Sequence, residues 1–177
     1  MNRVVIDTNV AVVANRRAAQ AGPKCVLACI DALSNTIEQS VVILDRSGTI
    51  LSEYLRNLSF AGQPGAGDAF FKWLWQNQSN PKHCELVDIH EQSQSADDFL
   101  EFPHDSRLSG FDRSDRKFVA VSIACHHRPP ICNAVDSDWW LYREILASHG
   151  VQVDFLCPDQ FASLGAKIAA DPIHKTH

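Results

Sequence analysis

The feature that most constrains this chain is the apolar run Val4-Val5-Ile6, which stops at Asp7, Thr8 and Asn9. A continuous apolar run of this kind reads as a strand buried on both faces, and such strands belong to parallel sheets covered by helices. In open α/β sheets ligands sit just beyond the carboxyl ends of the strands, so an acid placed there faces a site. Asp, Thr and Asn are equally good helix N-caps, and capping alone would account for Asp7. What separates the two readings is whether other strands bring acids to the same edge.

The remainder of the chain alternates strand and helix signals. A helical stretch after Asp7 is interrupted at Gly22-Pro23, and Val26, Leu27, Ile30, Leu33 and Ile37 then keep an amphipathic helical spacing. Val41-Val42-Ile43-Leu44 is a second buried strand, ended by Asp45-Arg46-Ser47-Gly48, which makes a βαβ opening and predicts parallel pairing. Ile50, Leu51, Tyr54, Leu55 and Leu58 form the stripe of the next helix, with Glu53 off that stripe, where a solvated glutamate is the default. Ala66, Ala69, Phe70, Trp73 and Leu74 mark another helix after the turn-rich segment 61–67. A third strand is expected over Glu85–Ile89 and a short helix over Ala96–Leu100. A helix should begin at Ser114 or Asp115, followed by a strand over Pro130–Val135 that again ends in acids, Asp136 and Asp138. A helix containing Tyr142, Ile145 and Leu146 closes at Gly150. A last strand over Gln152–Leu156 and a final helix over Phe161–Ala169 complete a single domain, 1–170, with a loose tail at 171–177.

Two other motifs compete for attention. Gly65-Ala66-Gly67-Asp68-Ala69-Phe70 is similar to the signature of ribokinase-type sugar kinases, where glycines form an anion hole and the aspartate is the base. That family is much longer and carries the motif near its C-terminus, so a glycine-rich helix start is the preferred reading. His83, Cys84 and His90 suggest zinc but do not supply about four ligands at tight spacing.

Composition sets the class. The chain has 177 residues, 45% apolar and 21% charged, with a formal net charge of −5. It is long enough to bury a sizeable core, and it lacks the global basic field of a pure nucleic-acid-binding module. It has no apolar run near the ~20 residues that span a bilayer and no signal-peptide pattern, which predicts a cytoplasmic protein with no membrane partner. The six cysteines, Cys25, Cys29, Cys84, Cys125, Cys132 and Cys157, are then expected to be mostly reduced and to act as buried small hydrophobes.

Asp7 and Asp136 reach the same carboxyl edge if their strands are neighbours. Asp115 starts the helix before the second of those strands, and Glu53 points from the helix after strand two. Four such carboxylates repel unless cations join them, and no basic residue is obliged by the sequence to do so. Hard oxygen ligands suit Mg²⁺ or Mn²⁺, which can activate water and neutralise a phosphodiester. These pieces resemble the PIN-domain nucleases. The likeness rests on Ile6-Asp7-Thr8-Asn9, Ile50-Leu51-Ser52-Glu53-Tyr54-Leu55, Ser114-Asp115 through Ala120 to Ala124, and Asn133-Ala134-Val135-Asp136-Ser137-Asp138-Trp139, in that order over most of the chain. The resemblance implies a three-layer α/β fold with a mostly parallel sheet, helices on both faces, and Asp7, Glu53, Asp115 and Asp136 as a catalytic, metal-binding acid set. It places Asp138 as an accessory ligand, with Thr8 or Asn9 steadying the loop around Asp7. Asp112, three residues before Asp115, competes for a ligand role. The stretch from about Pro64 to Asp112 is longer than in compact toxin members of that family.

The expected function is therefore a metal-dependent endoribonuclease acting on RNA, with DNA an open alternative substrate. A regulatory partner or antitoxin and a homodimer are the expected protein partners. Arg3, Arg16, Arg17, Arg46, Arg56, Arg113, Arg116 and Lys117 are available for phosphate contacts. The alternative is a non-catalytic PIN-like interaction module. A phosphatase of the haloacid dehalogenase type ranks third, because it wants an acid two residues after Asp7 and Asn9 stands there.

Overall fold

The structure is a computed structural model that describes residues 1–59, 65–92 and 97–162. Five strands, β1 (Asn2–Ile6), β2 (Ser40–Asp45), β3 (Cys84–Val87), β4 (Ile131–Asn133) and β5 (Val153–Phe155), form one parallel sheet in the order β3-β2-β1-β4-β5. The α-helices among the described residues are α1 (Thr8–Ala14), α2 (Pro23–Gln39), α3 (Thr49–Asn57), α4 (Ala66–Asn77), α5 (Arg116–Ala124) and α6 (Ser137–Ser148). Right-handed crossovers put α1, α2 and α4 on one face, because β1 to β2 to β3 runs one way, and α5 and α6 on the other, because the chain then returns past β1. The packing agrees: α1, α2 and α4 touch one another, while α5 lies on β1, β2 and β4. The alternation led to parallel pairing, and the three-layer α/β architecture is the one that the resemblance implied.

The buried strands are apolar on both faces for that reason. Val5, Ile6, Val42, Ile43, Leu44 and Ile131 are all sealed between helix layers. On one side Val10, Val13, Cys29, Leu33, Phe70 and Phe71 cover them, and on the other Phe118, Val119 and Val121. Pro23 starts α2 from N1, where its missing N–H costs nothing. Gly67 lets α4 close on α1, since a Cβ there would sit 2.0 Å from the Ala11 carbonyl oxygen.

Several expectations need correction. Asp97–Leu100 forms no helix; Phe99 instead pairs as an isolated antiparallel bridge with Glu91, because Phe99 is drawn into the core and Asp97 has a left-handed backbone. Ala96 and residues 163–177, which include most of the expected last helix and the tail, lie outside the described residues; Pro158–Phe161 is a 3-10 turn. Cys25 and Cys157 are joined in a disulfide, whereas Cys29, Cys84 and Cys125 are free and buried and Cys132 is free and half-buried. Among the described residues, no helix is long and apolar enough to cross a membrane.

Candidate functional site

The sheet order creates a switch point between β1 and β4, where successive connections diverge to opposite faces and a crevice opens beyond the strand ends. Asp7 and Asp136 stand there. β1 and β4 pair with Ile6 opposite Cys132, and the Asp7 amide continues the ladder by donating to the Cys132 carbonyl at 3.0 Å. The condition that the two strands be neighbours is met.

A helix follows each strand, directly after β1 and after three residues beyond β4, and the acid caps it. Asp7 Oδ1 accepts from the Asn9 amide at 2.9 Å, and Asp136 Oδ1 accepts from the Asp138 amide at 2.9 Å. The capping reading is therefore correct as far as it goes, but it leaves the acids poorly satisfied. Asp7 Oδ2 takes one further bond, from Asn133 Nδ2 at 3.1 Å. Asn133, whose own Oδ1 accepts from the Asp136 amide at 3.3 Å, links the two loops. Asn9 adds a second tie, accepting from the Ala134 amide at 2.9 Å. Thr8 Oγ1 and Asn9 Nδ2 are buried with no partner among the described residues.

Asp115 and Glu53 come to the same place. Asp115 ends a 3-10 turn, Arg113–Asp115, that leads into α5, and it is buried. Burial is the main force raising its carboxyl to about 9, and the charges of Asp7, Asp136, Asp112 and Glu53 push it further the same way. Burial also raises Asp7, to about 7, against the Asn9 amide and with help from Glu53 and Asp136. Asp136 is raised as well, by burial first, against its cap bond and with repulsion from Asp138 and Asp112. Asp7 and Asp115 thus both feel the charges of Glu53 and Asp136, which puts these four acids in one electrostatic neighbourhood, with Asp112 and Asp138 beside Asp136. Their oxygens have not closed into a compact ligand shell: among the described residues, the only group of three Asp, Glu, His or Cys ligand atoms within 4.8 Å of one another is made of cysteines.

Lys117 enters this acid set, although nothing in the sequence obliged a basic residue to do so. It is buried in the first turn of α5, pairs with Glu53 Oε2 and donates to the Ser114 carbonyl. It is thus no phosphate contact, and neither is Arg116. The Arg116 guanidinium is buried against the Phe102 ring, donates to Asp98 at 3.0 Å, and gathers the carbonyls of Leu108, Ser109 and Phe111. It pins the long segment before α5 in place. Asp112 is exposed and spends Oδ1 on the amide and hydroxyl of Ser114, at 2.8 and 2.9 Å, which makes it a cap for the 3-10 turn.

Sequence reasoning missed Asn133 and the role of Lys117. The only signal for Asn133 was its place at the end of an apolar strand. Lys117 carried none, since a lysine after an acid at a helix start reads as solvated. The kinase-like segment has an ordinary purpose. Asn15 Oδ1, from the end of α1, caps α4 by accepting from the Gly67 and Asp68 amides at 2.9 and 3.2 Å. The Asp68 carboxylate accepts from the Ser59 and Gly65 amides at 2.8 and 3.2 Å.

No family model, curated protein or solved structure matches this chain.

Proposed function

We propose that this protein is a metal-dependent endoribonuclease of PIN-like type that hydrolyses RNA phosphodiester bonds. The observation that carries the reading is the convergence of four acids at the β1–β4 switch point, two with carboxyls pushed to about 7 and about 9 by burial and mutual repulsion. A scaffold has no physical reason to gather charges that oppose its own folding, whereas a cation site does. The donor set is all carboxylate, the chemistry that Mg²⁺ or Mn²⁺ prefers, and the unpartnered Thr8 hydroxyl and Asn9 amide border it. Asp7, Asp115 and Asp136 would hold the ion, with Glu53 and Asp138 as further ligands. The ion would supply Lewis acidity toward water and the phosphodiester.

The protein's own groups have defined tasks in this reading. The caps at Asn9 and Asp138 and the amide of Asn133 fix Asp7 and Asp136 in orientation. Lys117 holds the Glu53 carboxylate at the border of the site. Burial and the neighbouring acids raise the Asp115 carboxyl, so cation uptake competes with its proton and should strengthen as pH rises. Arg16 and Arg56 remain among the basic residues that could contact phosphate.

One observation favours the alternative of a non-catalytic interaction module: the Lys117–Glu53 pair neutralises one acid internally. A single experiment separates the two. The purified chain is incubated with mixed single-stranded RNA in Mn²⁺, then with a chelator. Cleavage that needs the cation and disappears in Asp136→Asn supports the nuclease. RNA left intact by a folded chain that takes up Mn²⁺ would favour the module.

A further inference from the structure

Helix α2 carries Cys25 and Cys29 one turn apart, the spacing that stacks two side chains on one helix face. Cys157 arrives from the far end of the chain, just before the Pro158–Phe161 turn, with its Cα 5.3 Å from that of Cys25. Cys25 and Cys157 are joined, and the Cys29 sulfur completes a buried trio in which all the sulfurs lie within 4.8 Å of one another. Two sulfurs on one zinc ion, each at about 2.3 Å, are at most about 4.6 Å apart. The Cys29 sulfur already stands at about that distance from the other two, and reduction frees the bonded Cys25 and Cys157 sulfurs to part to ligand spacing; no other group of three among the described residues is so compact.

We propose that the reduced trio Cys25, Cys29 and Cys157 binds a soft, thiophilic cation of the zinc class, with the disulfide as the metal-free oxidised state of the same site. The chemistry separates it from the acidic site. Thiolate sulfur selects zinc or Cu(I), whereas carboxylate oxygen selects Mg²⁺ or Mn²⁺, so each site takes its own ion. A small dithiol reductant opens the site: it gives two electrons and two protons, the Cys25–Cys157 bond breaks, two thiols form, and the reductant closes to its own disulfide. The entering cation then displaces three thiol protons. Three sulfurs leave one position open on a tetrahedral ion. In both states the segment at Cys157 stays fastened to α2. The inference does not rest on the nuclease reading.

The test uses the full chain, reduced with a phosphine, stripped of metal and held in excess Mg²⁺ so that the acids are saturated. Zn²⁺ is titrated against a chromophoric chelator, and Cd²⁺ is added in parallel to read sulfur-to-metal charge transfer in the ultraviolet. One equivalent of Zn²⁺ per chain and a charge-transfer band are expected. Loss of an outer-shell partner typically lowers metal affinity 10–100-fold, so Cys29→Ser, which removes a ligand, should lower it by more than about a hundredfold. Cys25→Ser should act likewise, Cys84→Ser should bind as the wild type does, and the oxidised chain should bind only after reduction. Circular dichroism confirms that each variant is folded. A folded, reduced wild type with no charge-transfer band overturns the proposal. So does a band of full strength in Cys29→Ser, or Zn²⁺ uptake that is lost in Asp7→Asn and kept in Cys29→Ser.

Discussion

Asp7 and Asp68 are both buried acids at helix starts, only 3% and 2% exposed, yet their protons respond in opposite directions. Burial raises both. Around Asp68 the amides of Ser59 and Gly65, the Asn15 side chain and the Arg17 guanidinium outweigh it, and the carboxyl falls below its ordinary range. Around Asp7 the Asn9 amide and Asn133 favour the charge, Glu53 and Asp136 oppose it, and the carboxyl rises to about 7. Asp45, at the end of β2, is likewise ringed by donors: it accepts from Ser47 Oγ, the Thr49 amide and the Ile50 amide at 2.6, 2.6 and 2.8 Å and so starts α3. A buried acid surrounded by donors is holding the fold together. A buried acid surrounded by other acids is opposed by its neighbours, and in the proposed reading a cation offsets that repulsion.

The sharpest way to break this contrast is catalytic. Asp7→Asn should lower Mn²⁺-dependent RNA cleavage on the order of a thousandfold or more, as loss of a member of a catalytic unit does. Asp68→Ala should leave cleavage within a few-fold, measured on folded protein. Equal losses in both variants would erase the distinction, and full activity in Asp7→Asn would remove the site from the switch point.

Stability should then divide the same two residues the other way. Asp68→Ala strips the acceptor from the Ser59 and Gly65 amides and should cost about 2–4 kcal/mol in urea unfolding. Metal-free Asp7→Asn keeps an oxygen for the Asn9 amide, loses a repelling charge, and should melt at or above the metal-free wild type. A strongly destabilised Asp7→Asn would make Asp7 a cap and nothing more.

Cation linkage is the next test. Mn²⁺ at a hundredfold its dissociation constant should stabilise the wild type by about 2.7 kcal/mol, and Asp7→Asn should respond less. An identical rise in melting temperature in both chains would place the cation elsewhere.

The pH dependence carries the same sign logic. Asp7 and Asp115 bind protons more tightly folded than unfolded, so metal-free stability should fall as pH climbs from about 4, the ordinary carboxyl value, through about 7 and toward about 9. Asp68 works oppositely, contributing stability above the ordinary carboxyl value that is lost as pH drops through its lowered one. Unfolding midpoints across this range should show the fall flattened by Mn²⁺ and reduced in Asp7→Asn. The smallest effect is expected at Asp112→Asn: its exposed side chain keeps an oxygen for Ser114, so cleavage should stay within a few-fold.

The strand runs, the parallel pairing and the acids after β1 and β4 were readable because they are local. A fully buried parallel strand has to be apolar throughout, and a helix entered directly from it needs a cap. Which capping acids share a pocket was not local. That depended on β4 returning beside β1, which brings Asp136 to Asp7, whereas Asp45, at the end of the neighbour on the other side, spends its carboxylate on Ser47 and on the Thr49 and Ile50 amides. The same holds for Lys117 and Arg116, consecutive basic residues that look solvated in sequence. α5 packs on the sheet, so both are buried, and each had to find partners brought from elsewhere in the chain: Glu53 for one, Asp98 and the carbonyls of 108–111 for the other. Cys25 and Cys29 were one turn apart on paper, but a disulfide partner 132 residues away is set by where the end of the chain docks on α2. Periodicity and capping report what each segment must do with its own backbone and apolar face. Charges and sulfurs take their meaning from their neighbours, and those are supplied by tertiary packing.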